Sequence, residues 1–118
     1  MKIKRPSKFG NKKIYIGVHK FDSKLEAKIY QELCLREKSG EIKILELQPK
    51  VYLTLAKILM KVDFLILDGK ERVYIEAKGM ATAVFQIKKR LWRYYGDGTL
   101  RIVFKNKTEE IKTIRLND

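Results

Sequence analysis

Two carboxylates and an amine, Asp63, Glu76 and Lys78, lie in two consecutive strand-like segments of a small and very basic chain. Carboxylates on neighbouring strands are roughly 4.5–8 Å apart at Cβ, and in apolar surroundings they repel each other unless a cation lies between them. Mg²⁺ is the natural candidate, because it takes one or two carboxylates and fills its remaining positions with water and phosphate oxygens. Lys78 is placed to orient an attacking water or to stabilise charge that develops on a phosphate. The pattern predicts a site for metal-assisted chemistry on a phosphate.

The two segments that carry these residues, 62–67 and 72–77, are rich in β-branched and aromatic residues. Asp68-Gly69 between them is a strong signal for a hairpin turn. The alternative is that the acids are ordinary residues on a solvated face, with Lys78 as their counter-ion. That alternative is disfavoured because both faces of these strands are apolar.

Two registers of this hairpin are open. A two-residue turn puts Asp63 opposite Tyr74 and diagonal to Glu76, whereas a four-residue turn through Glu71 puts Asp63 directly opposite Glu76. Side chains alternate with period two along a strand, and cross-strand partners share a face. Both registers therefore place Asp63, Glu76 and Lys78 on one side of the sheet.

A third acid comes from a predicted helix over Lys24 to Lys38, which begins after Asp22 or Ser23 and ends at Ser39-Gly40. At about 100° per residue, Glu26 falls inside the apolar stripe of this helix. A carboxylate that faces a core needs a partner. Two interpretations are open: Ser23-x-x-Glu26 is also a capping box, which would occupy Glu26 locally. The stripe itself consists of Leu25, Ile29, Tyr30 and Leu33.

Glu26 on a helix, Asp63 on a strand, Glu76-x-Lys78 on the next strand and a polar helix after it resemble the PD-(D/E)XK nuclease superfamily. The closest likeness is to the compact Holliday-junction resolvases of archaea and phages. The resemblance extends from about residue 9 to residue 104. Val62 stands where the motif nominally has proline, at a position that varies widely in the superfamily.

The resemblance implies a restriction-endonuclease-like α/β fold with a mixed central β-sheet flanked by helices, and commonly a homodimer. It implies that Asp63, Glu76 and the backbone carbonyl of Ala77 bind Mg²⁺, for which Mn²⁺ can substitute. Glu26 would complete the site directly or through water, and Lys78 would position the nucleophilic water.

The substrate that this likeness favours is branched DNA, in its sharpest form a four-way junction, which two active sites of a C2 dimer would cut symmetrically. Two alternatives stay open. One is a different endonuclease of the same fold, which would nick or cut flaps or linear duplex. The other is a non-catalytic DNA-binding protein of the same fold.

Composition points to the same partner. The chain has 118 residues with 27 Lys or Arg against 14 acids, a formal charge of +13, and this predicts a single domain that binds a polyanion. Cys34 is the single cysteine, which excludes an internal disulfide and fits a cytoplasmic protein. The single histidine, His19, excludes a zinc site of the usual kind, and the sequence has no membrane span.

The basic residues are concentrated in two regions that contain no acid, 1–21 and 79–96. Residues 1–12 are predicted to form a basic arm that leads into a strand over 13–18. The second region predicts a helix with a buried apolar stripe and, opposite it, a polar face beside the acidic cluster. The buried stripe is Val84, Ile87, Leu91 and Tyr94 or Tyr95, while Trp92 is expected to pack in the core or at a dimer contact. The predicted DNA-binding residues are Lys4, Arg5, Lys8, Lys12, Lys13, Gln86, Lys89, Arg90 and Arg93.

The other segments are predicted to be structural. Strands are expected over 41–47, 51–55 and 100–104, with a turn over 57–60 that leads into the Asp63 strand. Thr108 is expected to cap a short final helix that extends to Leu116. This order of elements predicts an α/β domain with a mixed sheet.

Overall fold

The computed structural model describes residues 13–114, which form a five-stranded mixed sheet, two helices and two small hairpins. The sheet order is β3-β6-β7-β8-β9, and all neighbours are antiparallel except the parallel pair β7 and β8. The predicted α/β class with a mixed central sheet is confirmed. In chain order the elements are β1 (Ile14–Ile16), β2 (His19–Phe21), α1 (Lys24–Lys38), β3 (Ile42–Leu47), β4 (Lys50–Tyr52), β5 (Leu59–Lys61), β6 (Phe64–Asp68), β7 (Glu71–Ala77), α2 (Ala83–Tyr95), β8 (Thr99–Val103) and β9 (Thr108–Ile111).

The helices flank the sheet, and each covers its own apolar core. Because side chains alternate along a strand, β6 directs Phe64 and Ile66 into the core beneath α1 and Leu65 into the core beneath α2. Ile29 and Leu33 of α1 pack in the first core. No helix of residues 13–114 is long and apolar enough to span a membrane.

The β6–β7 hairpin has the register that places Asp63 opposite Glu76. Asp68 pairs with Glu71 and Phe64 pairs with Ile75, so the ladder continues by one residue to the two acids. Gly69 turns the chain with φ +64°, a conformation that costs glycine nothing. Of the two registers open in the sequence, the one that places Asp63 directly opposite Glu76 is therefore confirmed. The four-residue turn through Glu71 that was expected with it was wrong, because Asp68 pairs with Glu71 and the turn is Gly69-Lys70.

Helix α1 has the predicted bounds, because both of its ends carry local signals. The hydroxyl of Ser23 accepts a hydrogen bond from the backbone N–H of Glu26 at 3.0 Å, which satisfies one of the free donors of the first turn. At the other end, Gly40 follows the capping residue Ser39 with φ +83°. Glu26, Ile29 and Leu33 are buried, as the apolar stripe predicts.

Three predicted boundaries were wrong where the chain turns tightly. The expected strand over 13–18 is instead the hairpin of β1 and β2, since Gly17 adopts φ +61° and reverses the chain. The strand expected over 51–55 ends at Tyr52. The predicted turn over 57–60 contains the start of β5, which pairs with β4.

The predicted helix after Thr108 was also wrong within the described residues. Thr108 to Ile111 form an edge strand instead, which pairs antiparallel with β8. Ile111 lies opposite Leu100 and is buried in the core beneath α2. An open sheet edge with a place for an apolar side chain thus outweighs a capping signal, which is worth only about 1 kcal/mol.

Helix α2 is rotated relative to its predicted orientation. Phe85 and Trp92 are its buried residues, whereas Val84, Ile87 and Tyr94 are 60%, 57% and 60% exposed. The Trp92 indole is fully buried and donates its Nε1–H to the carbonyl of Gly98 at 2.8 Å. Burial of the largest side chain together with its polar atom fixes the helix face. The expected burial of the stripe was therefore wrong except at Leu91, which packs against the core, and the core position of Trp92 is confirmed.

Candidate active site

Asp63 and Glu76 meet at the end of the β6–β7 hairpin. Asp63 lies between β5 and β6 and is half-buried, while Glu76 on β7 is 7% exposed. The backbone N–H of Ala77 donates to Oδ2 of Asp63 at 2.7 Å. This bond fixes the Asp63 carboxylate beside the strand that carries the second acid.

Glu26 reaches this site from α1, and one of its two carboxylate oxygens accepts no hydrogen bond from the described residues. Its side chain is 3% exposed, and Oε2 accepts a hydrogen bond from the backbone N–H of Asp22 at 3.2 Å. Oε1 is buried and has no hydrogen-bond partner among the described residues. Capping therefore occupies only half of the carboxylate, and a buried oxygen without a partner is costly unless something else binds it.

Lys78 is the cation closest to the acids in the described part of the chain. Its Nζ lies 3.7 Å from Oε2 of Glu76 and 4.3 Å from the centroid of the Phe85 ring. The ring belongs to the first turn of α2, so the core packing of that helix also holds the lysine in place.

The electrostatics of the site show an excess of negative charge. Burial, followed by the charge of Asp63, raises the pKa of Glu76 to about 9. Burial, again followed by the charge of Asp63, raises the pKa of Glu26 to about 7. Burial also raises the pKa of Asp63, against hydrogen bonds from Glu76 and Ala77 and the charge of Lys78. One lysine does not balance three acids, so Glu76 holds a proton at neutral pH when no further cation is present.

These groups line one cavity of about 650 Å³. Glu26, Asp63, Glu76 and Lys78 all contribute to its wall, so the structure brings the four predicted residues together. The other lining residues are Asp22, Ser23, Leu25, Gln48, Lys61, Val62, Ala77, Gly79, Met80 and Thr82.

The donor set suits a hard divalent cation, although no preformed cage is present. Among residues 13–114, no group of three or more His, Cys, Asp or Glu side chains is arranged to hold a metal ion. Asp63 and Glu76 nevertheless supply the one or two carboxylates that Mg²⁺ uses, and the free Oε1 of Glu26 points to a missing positive or donor group. The residues present therefore fit an ion that keeps several waters.

Gln48 is a site residue that the sequence prediction missed. Its backbone has φ +53°, a left-handed conformation that is strained for a residue with a side chain. Its N–H donates to the carbonyl of Asp63 at 2.7 Å, and its side chain faces Glu26 without closing a hydrogen bond on Oε1. A polar residue at a strand end directly before Pro49 was the available signal, but it is also the ordinary composition of a turn.

The predicted DNA-binding residues are dispersed. Lys4, Arg5, Lys8 and Lys12 lie outside the described residues. Gln86, Arg90 and Arg93 are exposed on α2, whereas Lys89 forms an ion pair with Glu109 of β9 at 3.2 Å. The expectation that this face lies beside the acids was wrong for the cavity wall, to which α2 contributes its capping residue Thr82 and none of these four side chains among the described residues.

Over residues 6–113 the chain matches the family described as a protein of unknown function, DUF1064, and it belongs to that family. No curated protein and no solved structure gives a significant match.

Proposed function

We propose that the protein is a metal-dependent DNA endonuclease with a restriction-endonuclease-like core of the PD-(D/E)XK type. The observation that carries the proposal is the convergence of Glu26, Asp63, Glu76 and Lys78 on one cavity. They come from α1, the residue before β6, β7 and the residue that follows β7, in the chain order of the superfamily motif. The buried, partnerless Oε1 of Glu26 supports a role beyond helix capping.

In this proposal Asp63, Glu76 and the carbonyl of Ala77 hold Mg²⁺ or Mn²⁺, with Glu26 as a ligand directly or through water. When bound, the ion neutralises the scissile phosphate and lowers the pKa of a water molecule. Lys78 orients that water or stabilises the charge that develops on the phosphate. The ring of Phe85 beneath Nζ keeps the amine directed at the cavity.

The proposed substrate is DNA, since a formal charge of +13 calls for a polyanion. The exposed basic side chains of α2 suit contact with the phosphate backbone, which carries no sequence information. We therefore propose that the protein recognises the shape of its DNA and not its sequence, and the four-way junction is the most specific candidate substrate.

A homodimer belongs to the same proposal, because two symmetric cuts need two sites. The apolar residues Met80, Val84, Ile87 and Tyr94 lie exposed at the start and along one side of α2. Together they are named the α2 apolar face. Exposed apolar surface of this kind marks interaction sites, and a C2 axis beside it would pair two copies through identical residues.

The test is cleavage of a labelled four-way junction and of linear duplex with the same sequence, in Mg²⁺ or in EDTA. Wild type should make paired, metal-dependent cuts at the junction, and Asp63→Asn should bind the junction but not cut it. The change keeps the shape of residue 63 and removes its charge, so loss of cutting with retained binding assigns a catalytic role.

Other outcomes separate the alternatives. Equal cutting of linear duplex or flaps would keep the nuclease and discard the junction as its substrate. Binding of DNA without cutting in either Mg²⁺ or Mn²⁺ would contradict the enzyme and favour a DNA-binding protein of the same fold.

A further inference from the structure

The β1–β2 hairpin has one apolar face and one basic, aromatic face. Ile14, Ile16 and Phe21 pack on the core beneath α1. The register pairs Tyr15 with Lys20, and by its continuation Lys13 with Asp22, so these four side chains share the outer face. Tyr15 is 66% exposed there, although a tyrosine ring is large enough to bury about 150–250 Å².

Two like charges lie side by side on this outer face. Contact with the Lys13 amine, followed by its charge, lowers the pKa of Lys20. Lys13 also lies 3.7 Å from Asp22, a single carboxylate that cannot neutralise both lysines. Two neighbouring ammonium groups beside an exposed ring offer positive charge for a phosphate next to a surface on which a base can stack.

The hairpin also borders the candidate active site. Val18, His19 and Lys20 line a cleft of about 230 Å³ together with Gln48 and Asp63. Gln48 and Asp63 line the catalytic cavity as well, so the two spaces share a wall. A DNA strand bound on the outer face of the hairpin would therefore extend towards the carboxylates.

We propose that the β1–β2 hairpin binds an unpaired DNA segment next to the scissile phosphate, with one phosphate between Lys13 and Lys20 and one base stacked on Tyr15. This inference rests on the proposed nuclease function and specifies its substrate class. In duplex DNA both faces of a base are covered by its neighbours, so an aromatic platform selects bases that are unstacked. Branch points and flaps offer such bases.

The test is fluorescence anisotropy in EDTA, where no cleavage occurs, with a labelled single-stranded oligothymidine and a duplex of the same length. Tyr15→Ala should weaken binding of the single strand about fivefold or more and leave duplex binding within about twofold. Tyr15→Phe keeps the ring and should bind like wild type. Lys70→Ala is the control, because Lys70 is exposed in the β6–β7 turn at the far end of β6 from Asp63.

The lysine pair is tested by the salt dependence of single-strand binding. If Lys13 and Lys20 share one phosphate, the double variant should reduce the slope of log K against log salt by about 0.7, and Lys13→Ala or Lys20→Ala alone should reduce it by no more than that. A slope that falls by about twice that amount in the double variant would mean two separate phosphates and would overturn the shared site.

Three results would overturn the inference in distinguishable ways. Equal losses for single strand and duplex in Tyr15→Ala would make the hairpin a general backbone contact. Unchanged binding in every hairpin variant, with wild type still cutting DNA, would reject the hairpin and keep the nuclease. A wild-type protein that neither binds nor cuts DNA would reject both proposals.

Discussion

At the scale of single residues, the candidate site is a set of buried acids that destabilise the fold where they lie. Glu76 is buried among apolar strand residues and faces the charge of Asp63. Strongly perturbed carboxyl groups of this kind cluster at functional sites. Among the described residues, Glu26 and Glu76 are the two buried acids, and both line the cavity.

The raised pKa of Glu76 predicts how the stability of the metal-free protein depends on pH. The folded state keeps the Glu76 proton up to about pH 9, whereas the unfolded chain releases it near its ordinary value of 4.5. The folded state thus binds more protons across this window, so the free energy of unfolding falls as the pH rises. The loss is up to about 1.4 kcal/mol per pH unit, and Glu26 adds to it up to its pKa of about 7.

Urea unfolding in EDTA at several values between pH 5.5 and 8 measures this effect, with Glu76→Gln as the matched variant. The wild type should lose stability relative to Glu76→Gln as the pH rises, because the amide cannot ionise. Addition of Mg²⁺ at pH 8 should stabilise the wild type more than the variant. Stability curves that run parallel across the whole range would contradict the prediction.

At the scale of elements, the sequence predicted what local chemistry determines. The bounds of α1 follow from Ser23 and from Ser39-Gly40, and the β6–β7 hairpin follows from its turn residues. These signals act over a few residues, so they can be read without knowledge of the fold. Because the helix and the hairpin carry Glu26, Asp63, Glu76 and Lys78, the candidate site could be predicted with them.

The failures occurred where tertiary packing decides. The sequence after Thr108 has a cap-like start, but the open edge of β8 turns it into a strand. Two apolar stripes compete on α2, and the one with Phe85 and Trp92 is buried because it is bulkier. Gln48 was missed because its role depends on the position of Asp63, which is distant in the sequence. None of these outcomes has a local signal that is specific enough to decide it.

Gly96 links α2 to the sheet, and we expect its replacement to cause a large loss of stability. A Cβ atom at Gly96 would lie 2.5 Å from the ring atoms of Trp92, which is fully buried and cannot move away. Gly96→Ala should therefore destabilise the protein by about 1–3 kcal/mol, as expected for overpacking. Equilibrium unfolding in urea measures the change.

Gly79→Ala is the matched control for this substitution. A Cβ at Gly79 meets nothing within 4 Å, and its φ does not lie in the left-handed region. The control should be neutral or slightly stabilising, because alanine restricts the unfolded chain. Equal stabilities of the two variants would mean that Trp92 does not pack against Gly96 as described.

At the scale of the whole molecule, the two faces of the sheet differ in what they leave exposed. On the α1 side, the long apolar residue Leu35 stands exposed towards the end of the helix. On the other side, Val84, Ile87 and Tyr94 of the α2 apolar face lie in one stripe along the helix, and the exposed Arg90 borders it between Ile87 and Tyr94. An exposed apolar stripe of this kind is a surface that two copies of the chain can cover.

The α2 apolar face predicts a dimer that a single charge should break. Ile87 lies in the middle of the stripe, and Ile87→Glu would bury an unpaired carboxylate in an interface between two copies. Sedimentation velocity should show a dimer for the wild type and a monomer for Ile87→Glu. The monomer should still unfold cooperatively on heating, because the side chain is exposed, and its melting temperature should not depend on protein concentration. Leu35→Glu, an equally exposed apolar position on α1, should remain a dimer.

The same variant connects assembly to cutting. If paired incisions at a junction need two sites on one dimer, the Ile87→Glu monomer should nick the two strands of the junction in independent events. Leu35→Glu should cut both strands together, like the wild type. A cruciform plasmid reports the difference, since paired cuts give linear product directly and unpaired nicks give open circles first. A monomeric wild type that still cuts in pairs would separate the activity from the dimer and assign the α2 apolar face to another partner.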